Sequence, residues 1–154
     1  MNKDFSHYTT QNPDFVNTIH QKLEGQHFMH HIGANLTVIE KAYIEAELQM
    51  EEKHLQQAGF THGGVTATLC DLVTGFAAFS LVGLGEAVVT ADLKVSYLNP
   101  GDGERLIAKG WVIKPGNMLH FCEGEVWIDK KGKLTQIAHC TALMAVVKNL
   151  AKRD

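Results

Sequence analysis

The stretch HLQQAGFTHGGVTATLCDLVTGFAAF, His54 to Phe79, carries one formally charged side chain after Gly59, and that residue, Asp71, is surrounded by small and apolar neighbours. From Gly64 to about Val82 the chain is apolar almost all round and is bounded by Gly63-Gly64 and Gly83, which predicts a helix buried on most of its faces. Asp71 then lies roughly two turns after the glycine pair. Stripping a carboxylate of water without a partner costs several kcal/mol, on the order of the whole net stability of a small domain. An acid is kept in such a place when it pairs locally, faces an interface or does chemistry. Taken alone, it is as readily a solvent-facing or hydrogen-bonded structural residue.

The preceding His62-Gly63-Gly64 adds a second signal. Amides at a helix start lack intrahelical acceptors, and the macrodipole favours negative charge there. Glycine leaves those amides open to close approach, as a developing oxyanion requires. A glycine pair alone is a turn into a helix, and His62 alone is a packed or capping residue; one step before the glycines it can brace the loop. Thioester hydrolysis needs a polarised C=O together with water or a carboxylate nucleophile at the acyl carbon. Gly63 N–H and Asp71 can supply one each, and Thr90, at the start of the next strand, is a suitable hydroxyl partner for the acid.

Upstream, Asn12 and Pro13 open an amphipathic pattern with Phe15, Val16, Ile19 and Leu23 on one side, so a short helix is expected as far as Gly25. From Ala34 to Met50, alternation of apolar and polar residues predicts a hairpin turning near Glu40 and Lys41. Downstream, Ala87–Leu98, Glu104–Ile113, Met118–Ile128 and Leu134–Val147 read as strands. Turn chemistry separates them: Asn99-Pro100-Gly101-Asp102-Gly103, Lys114-Pro115-Gly116-Asn117 and Asp129 to Lys133. Three hairpin-like connections imply an antiparallel meander. The order of elements has no βαβ rhythm, which disfavours a parallel doubly wound sheet and leaves an α+β domain with several options for its architecture. The organisation expected is an N-terminal helical segment, residues 1–30, packed on one domain, 31–150.

At 154 residues and 45% hydrophobic content, one core is affordable and two domains would be cramped. A net charge of -3 lacks the basic surplus of nucleic-acid binders. The N-terminus has no apolar run of a signal peptide, and Cys70, Cys122 and Cys140 form no CxxC or CxxH pair. No disulfide framework or metal site is expected, and the location expected is the cytoplasm. The apolar run from Gly59 to Gly85 reads as a helix inside a protein, without a membrane partner, because it holds Asp71 and lacks flanking cationic and aromatic belts. Phe76, Phe79, Tyr97, Trp111, Phe121 and Trp127 read mainly as core, with an acyl pocket as the alternative.

With HGG at His62-Gly63-Gly64 and an acid in the following helix, the segment His54–Phe79 resembles the PaaI-like branch of the hotdog-fold thioesterases. VVTADLKVSYLNP (Val88 to Pro100) resembles the long central strand of that family, and Gly132 to Leu134 its last turn. The resemblance implies a hotdog fold, an antiparallel sheet wrapped around a long central helix, and hydrolysis of an acyl- or aryl-CoA thioester. No cofactor is implied, since coenzyme A is part of the substrate. By the same resemblance the Gly63 amide donates to the thioester oxygen, Asp71 is nucleophile or general base, and Thr90 orients water. Gln56 stands where several relatives have Asn, a departure that lengthens the donor. His62 and Gly64 complete the turn, and Lys114 and Asn117 are candidate donors to the coenzyme A phosphates. The site would lie across a homodimer, with a dimer of dimers as a further state. A hotdog hydratase or dehydratase and a non-catalytic acyl-CoA binding protein are the competing functions. The hydratase lacks its expected Asp/His pair here, and a pure binder gains nothing from Asp71.

Overall fold

A computed structural model of the chain describes residues 4–148; the expected domain end at 150 lies outside the described residues. Two short helices come first, α1 (Phe15–Glu24) and α2 (His27–Ile32). The hairpin β1 (Ala34–Glu40) and β2 (Tyr43–Gln49) follows, then the central helix α3 (Gly63–Phe79). Four further strands follow, making six in all among the described residues: β3 (Glu86–Tyr97), β4 (Arg105–Lys114), β5 (Leu119–Lys130) and β6 (Lys133–Lys148). They form a six-stranded antiparallel sheet in the order β1-β2-β4-β5-β6-β3, the hotdog arrangement that the resemblance implied.

The central strands β2, β4 and β5 bury one face. Ile44, Ala46 and Leu48 of β2, Leu106, Ala108 and Val112 of β4, and Cys122, Val126 and Ile128 of β5 point inward at alternate positions and are buried, as the pleat requires. They meet Leu69, Cys70, Val73, Phe76 and Ala77 of α3. Full burial of a side chain such as Leu69 or Val73 contributes about 1.5–3 kcal/mol. The helix crosses the sheet on the row Ile44, Gly110, Gly124, Cys140, Val95. A Cβ at Gly110 would sit 2.5 Å from the Val73 carbonyl carbon, so a residue without one lets α3 lie against β4.

The downstream strands differ from a simple meander. Only β4, β5 and β6 are joined as successive hairpins, while β3 lies beyond β6 at the sheet's edge. Residues 98–104 must therefore pass three strand positions, about 14 Å at ~4.8 Å per strand, which seven extended residues can span. Their turn chemistry is used for docking: Thr61 N–H and its hydroxyl both donate to Gly101 O, at 2.8 and 3.0 Å. At the N-terminus, Asn12 caps a turn by accepting from Asp14 N–H at 3.0 Å, so α1 starts at Phe15.

Past α3, the buried Ser80 hydroxyl accepts from Ala42 N–H and donates to Ala77 O, both at 2.7 Å. This ties the β1–β2 turn, where Ala42 has φ 61°, to the end of the central helix. Among the described residues no helix is long and apolar enough to cross a membrane.

Candidate active site

The two halves of the expected site fall in two clefts. In the first, Asp71 projects from the middle of α3 and the Thr90 hydroxyl of β3 donates to its Oδ1 at 2.5 Å. Thr90 sits beside a β-bulge between Thr90 and Asp92, a local twist of the kind that re-aims side chains next to active sites. The cleft is about 340 Å³. Leu72, Gly75, Phe76 and Phe79 of α3 form its floor, Ala87, Val88 and Met144 one wall, and Lys22, Gln26 and Met29 the other. Among the described residues no histidine lines it.

The second half is the turn into α3. His62 is the N-cap, and its Nδ1 accepts from Gly64 N–H at 2.9 Å. That bond consumes the Gly64 amide. Among the described residues no hydrogen bond uses Gly63 N–H, which as a first-turn amide has no intrahelical acceptor. The Tyr97 hydroxyl donates to Gly63 O at 2.8 Å, holding the turn from β3, and burial raises its phenol above the ordinary value of 10. Gln56 accepts from Ala58 N–H through Oε1 at 2.6 Å, so its side-chain NH2 is the group it can offer. Gln56, Gly63, Tyr97 and Pro100 line a cleft of about 490 Å³.

Gly63 and Asp71 are eight residues apart on one helix, about 12 Å of rise, so a single copy does not bring them to one carbonyl. Lys114 and Asn117 are exposed at the β4–β5 turn and line neither of these clefts. The row Thr90, Met144, His120 puts that turn at the Thr90 end of the sheet. Of the aromatic residues, Phe76 and Phe79 are buried on the floor of the Asp71 cleft. Tyr97 and Phe121, at 57% and 46% exposure, are not core.

Several positioning residues carry no sequence signal of their own. Buried His54 accepts from Glu51 N–H through Nδ1 and donates from Nε2 to Ile32 O, at 2.9 and 2.7 Å. Its own carbonyl accepts from His62 N–H at 2.8 Å, so it fixes both ends of the loop that carries Gln56. The hold of Tyr97 on the Gly63 turn and the α1–α2 wall were likewise visible only once the chain was folded. The three cysteines are buried and none of them lines the Asp71 cleft. A hydrogen bond with Cys140 and burial push the Cys70 thiol far up, and burial pushes Cys122 up to about 12. Among the described residues no cluster of three or more His, Cys, Asp or Glu could hold a metal ion.

A family model described as the thioesterase superfamily matches residues 58–135, just over half of the chain. Acyl-coenzyme A thioesterase 13 of Mus musculus is 32% identical over 89 residues, 57% of this chain and 63% of that protein. The chain thus matches less than two thirds of that relative's length. The crystal structure of a thioesterase family protein from Silicibacter pomeroyi has a TM-score of 0.86 at 30% identity, covering 87% of this chain and 98% of that one. The E. coli PaaI protein from the phenylacetic acid degradation operon has a TM-score of 0.78 at 17% identity, covering 90% and 96%; at that identity the likeness is one of fold.

Proposed function

Since the chain belongs to the thioesterase superfamily, we propose that it hydrolyses an acyl- or aryl-CoA thioester to free acid and CoA. In this reading Asp71 of one protomer and the Gly63 amide of its partner act on the same carbonyl. The carrying observation is the pair of half-sites: an acid held by Thr90 in an apolar cleft, and an open first-turn amide about 12 Å away along the same helix.

A homodimer unites them. β3 is an edge strand of twelve residues with Val89 and Tyr97 exposed, and a long free edge of this kind is a template for pairing. Gly63 lies by Tyr97 at one end of β3, and Asp71 by Thr90 nearer the other. Antiparallel pairing of two β3 strands about a two-fold axis sets each Gly63 end against the other copy's Asp71 end.

At such a site the thioester oxygen accepts from Gly63 N–H and from the Gln56 amide, and these donors strengthen as charge gathers on the oxygen. Asp71, with Oδ1 engaged by Thr90, uses Oδ2 either to attack the acyl carbon or to take a proton from attacking water. Attack by the carboxylate forms an aspartyl anhydride and expels the CoA thiolate, and water then opens the anhydride. In the second route the hydroxide attacks and the thiolate leaves directly. In this reading Lys114 and Asn117, exposed at the β4–β5 turn, meet coenzyme A phosphates that leave the site at the Thr90 end of the sheet. The three buried free thiols fit a cytoplasmic setting.

Thiol release from a panel of acyl-CoAs tests this reading. Asp71→Asn keeps the shape and removes the base, and is expected to lower kcat by about 100-fold or more. Equal release by both proteins would remove Asp71 from the chemistry. Absence of release by either, with acyl-CoA bound, would favour the binding protein, and hydration of an enoyl-CoA would favour the hydratase.

A further inference from the structure

Gly75 is the unexplained residue of the Asp71 cleft. A glycine in a helix interior is the least favourable choice short of proline, and it is usually kept because a Cβ would collide or because φ is positive. At Gly110 and Gly124 of this chain added Cβ atoms would lie 2.5 and 2.9 Å from neighbours. At Gly75 a Cβ would meet nothing within 4 Å, and φ is not positive. Neither packing nor backbone geometry of the described residues calls for glycine there. The space that it leaves opens into the cleft, one helical turn from Asp71 on the same face. Met29, Leu72, Phe76, Val88 and Met144 make the surrounding walls mainly apolar.

We infer that Gly75 determines acyl specificity: the acyl group runs along α3 from Asp71 past Gly75 toward Phe79, and the missing side chain admits apolar groups that are wide one helical turn from the thioester carbon. The inference rests on the proposed thioester site. It adds that α1 and α2 of the same chain close the outer side, since Lys22, Gln26 and Met29 face the cleft from there. The Lys22 ammonium lies 4.9 Å over the Phe79 ring, so the far end of the path is closed by a side chain of α1.

The test uses full-length protein, Gly75→Ala and Gly75→Val. Binding of non-hydrolysable acyl-CoA thioethers, one with a straight short acyl group and one with a branched or cyclic group, is measured by calorimetry, beside hydrolysis of the matching thioesters. Gly75→Val is expected to weaken the wide ligand by about ten-fold or more, within the range for one or two methylenes in an apolar pocket, and the narrow one by less than two-fold. Gly75→Ala is expected to fall between, with thermal stability unchanged or raised. Hydrolysis of the wide thioester then falls mainly through KM. If both variants, folded as wild type, keep the wild-type ratio of wide to narrow affinity, the inference is overturned. Failure of the wild type to hydrolyse either thioester would instead count against the thioesterase reading, with the binding ratios still deciding the role of Gly75.

Discussion

Buried His120 on β5 leaves its Nδ1 without a partner among the described residues. Burial holds its pKa below the ordinary 6.5, opposed by the nearby Glu86 carboxylate. The unfolded chain therefore takes up a proton at a higher pH than the fold does. This group's contribution to stability is complete above pH 6.5 and is lost as pH falls from there through the folded pKa, at no more than about 1.4 kcal/mol per pH unit. Urea unfolding at about pH 7.5 and 5.5 is expected to show a larger acid loss for wild type than for His120→Leu; equal losses would show that the ring is not buried neutral. Among the candidate site residues, Asp71 and Gly63 stand out in the sequence because a lone acid and a glycine pair break an apolar helical pattern, and Thr90, read as a hydroxyl partner for the acid, does donate to it. Gln56 was legible only through family likeness. Tyr97, His54 and Gly75 were not, since their roles depend on what the fold sets beside them.

The elements show where local pattern is sufficient and where it fails. Period-two alternation places β1 and β2, and strand-like runs bounded by turn residues place β3 to β6, each to within a residue or two, while the apolar run flanked by glycines places α3. The position of β3 was not legible, because Asn99 to Gly103 has the composition of a hairpin turn whether it joins neighbours or crosses the sheet; pairing with β6 is decided by long-range contacts. The close approach of α3 to β4 belongs to this scale too. Gly110→Ala forces a Cβ against the Val73 backbone, and overpacking of this sort costs about 1–3 kcal/mol. Chemical denaturation is expected to show that loss without a change in m-value. A variant as stable as wild type would mean that the helix and sheet are not in contact at this row.

For the whole molecule, the proposed function requires that Asp71 and Gly63, which one copy's helix keeps about 12 Å apart, be brought together by a two-fold partner across the β3 edge. Mixed dimers test this directly. Asp71→Asn and Gly63→Val, each inactive alone, are unfolded together, refolded and checked by mass spectrometry for the mixed species. If each carbonyl is served by two chains, every mixed dimer holds one site with both defects and one intact site. Random pairing makes half of the dimers mixed, so thiol release should recover to about a quarter of the wild-type rate. A mixture that contains the mixed dimer and yet stays inactive would contradict the shared site.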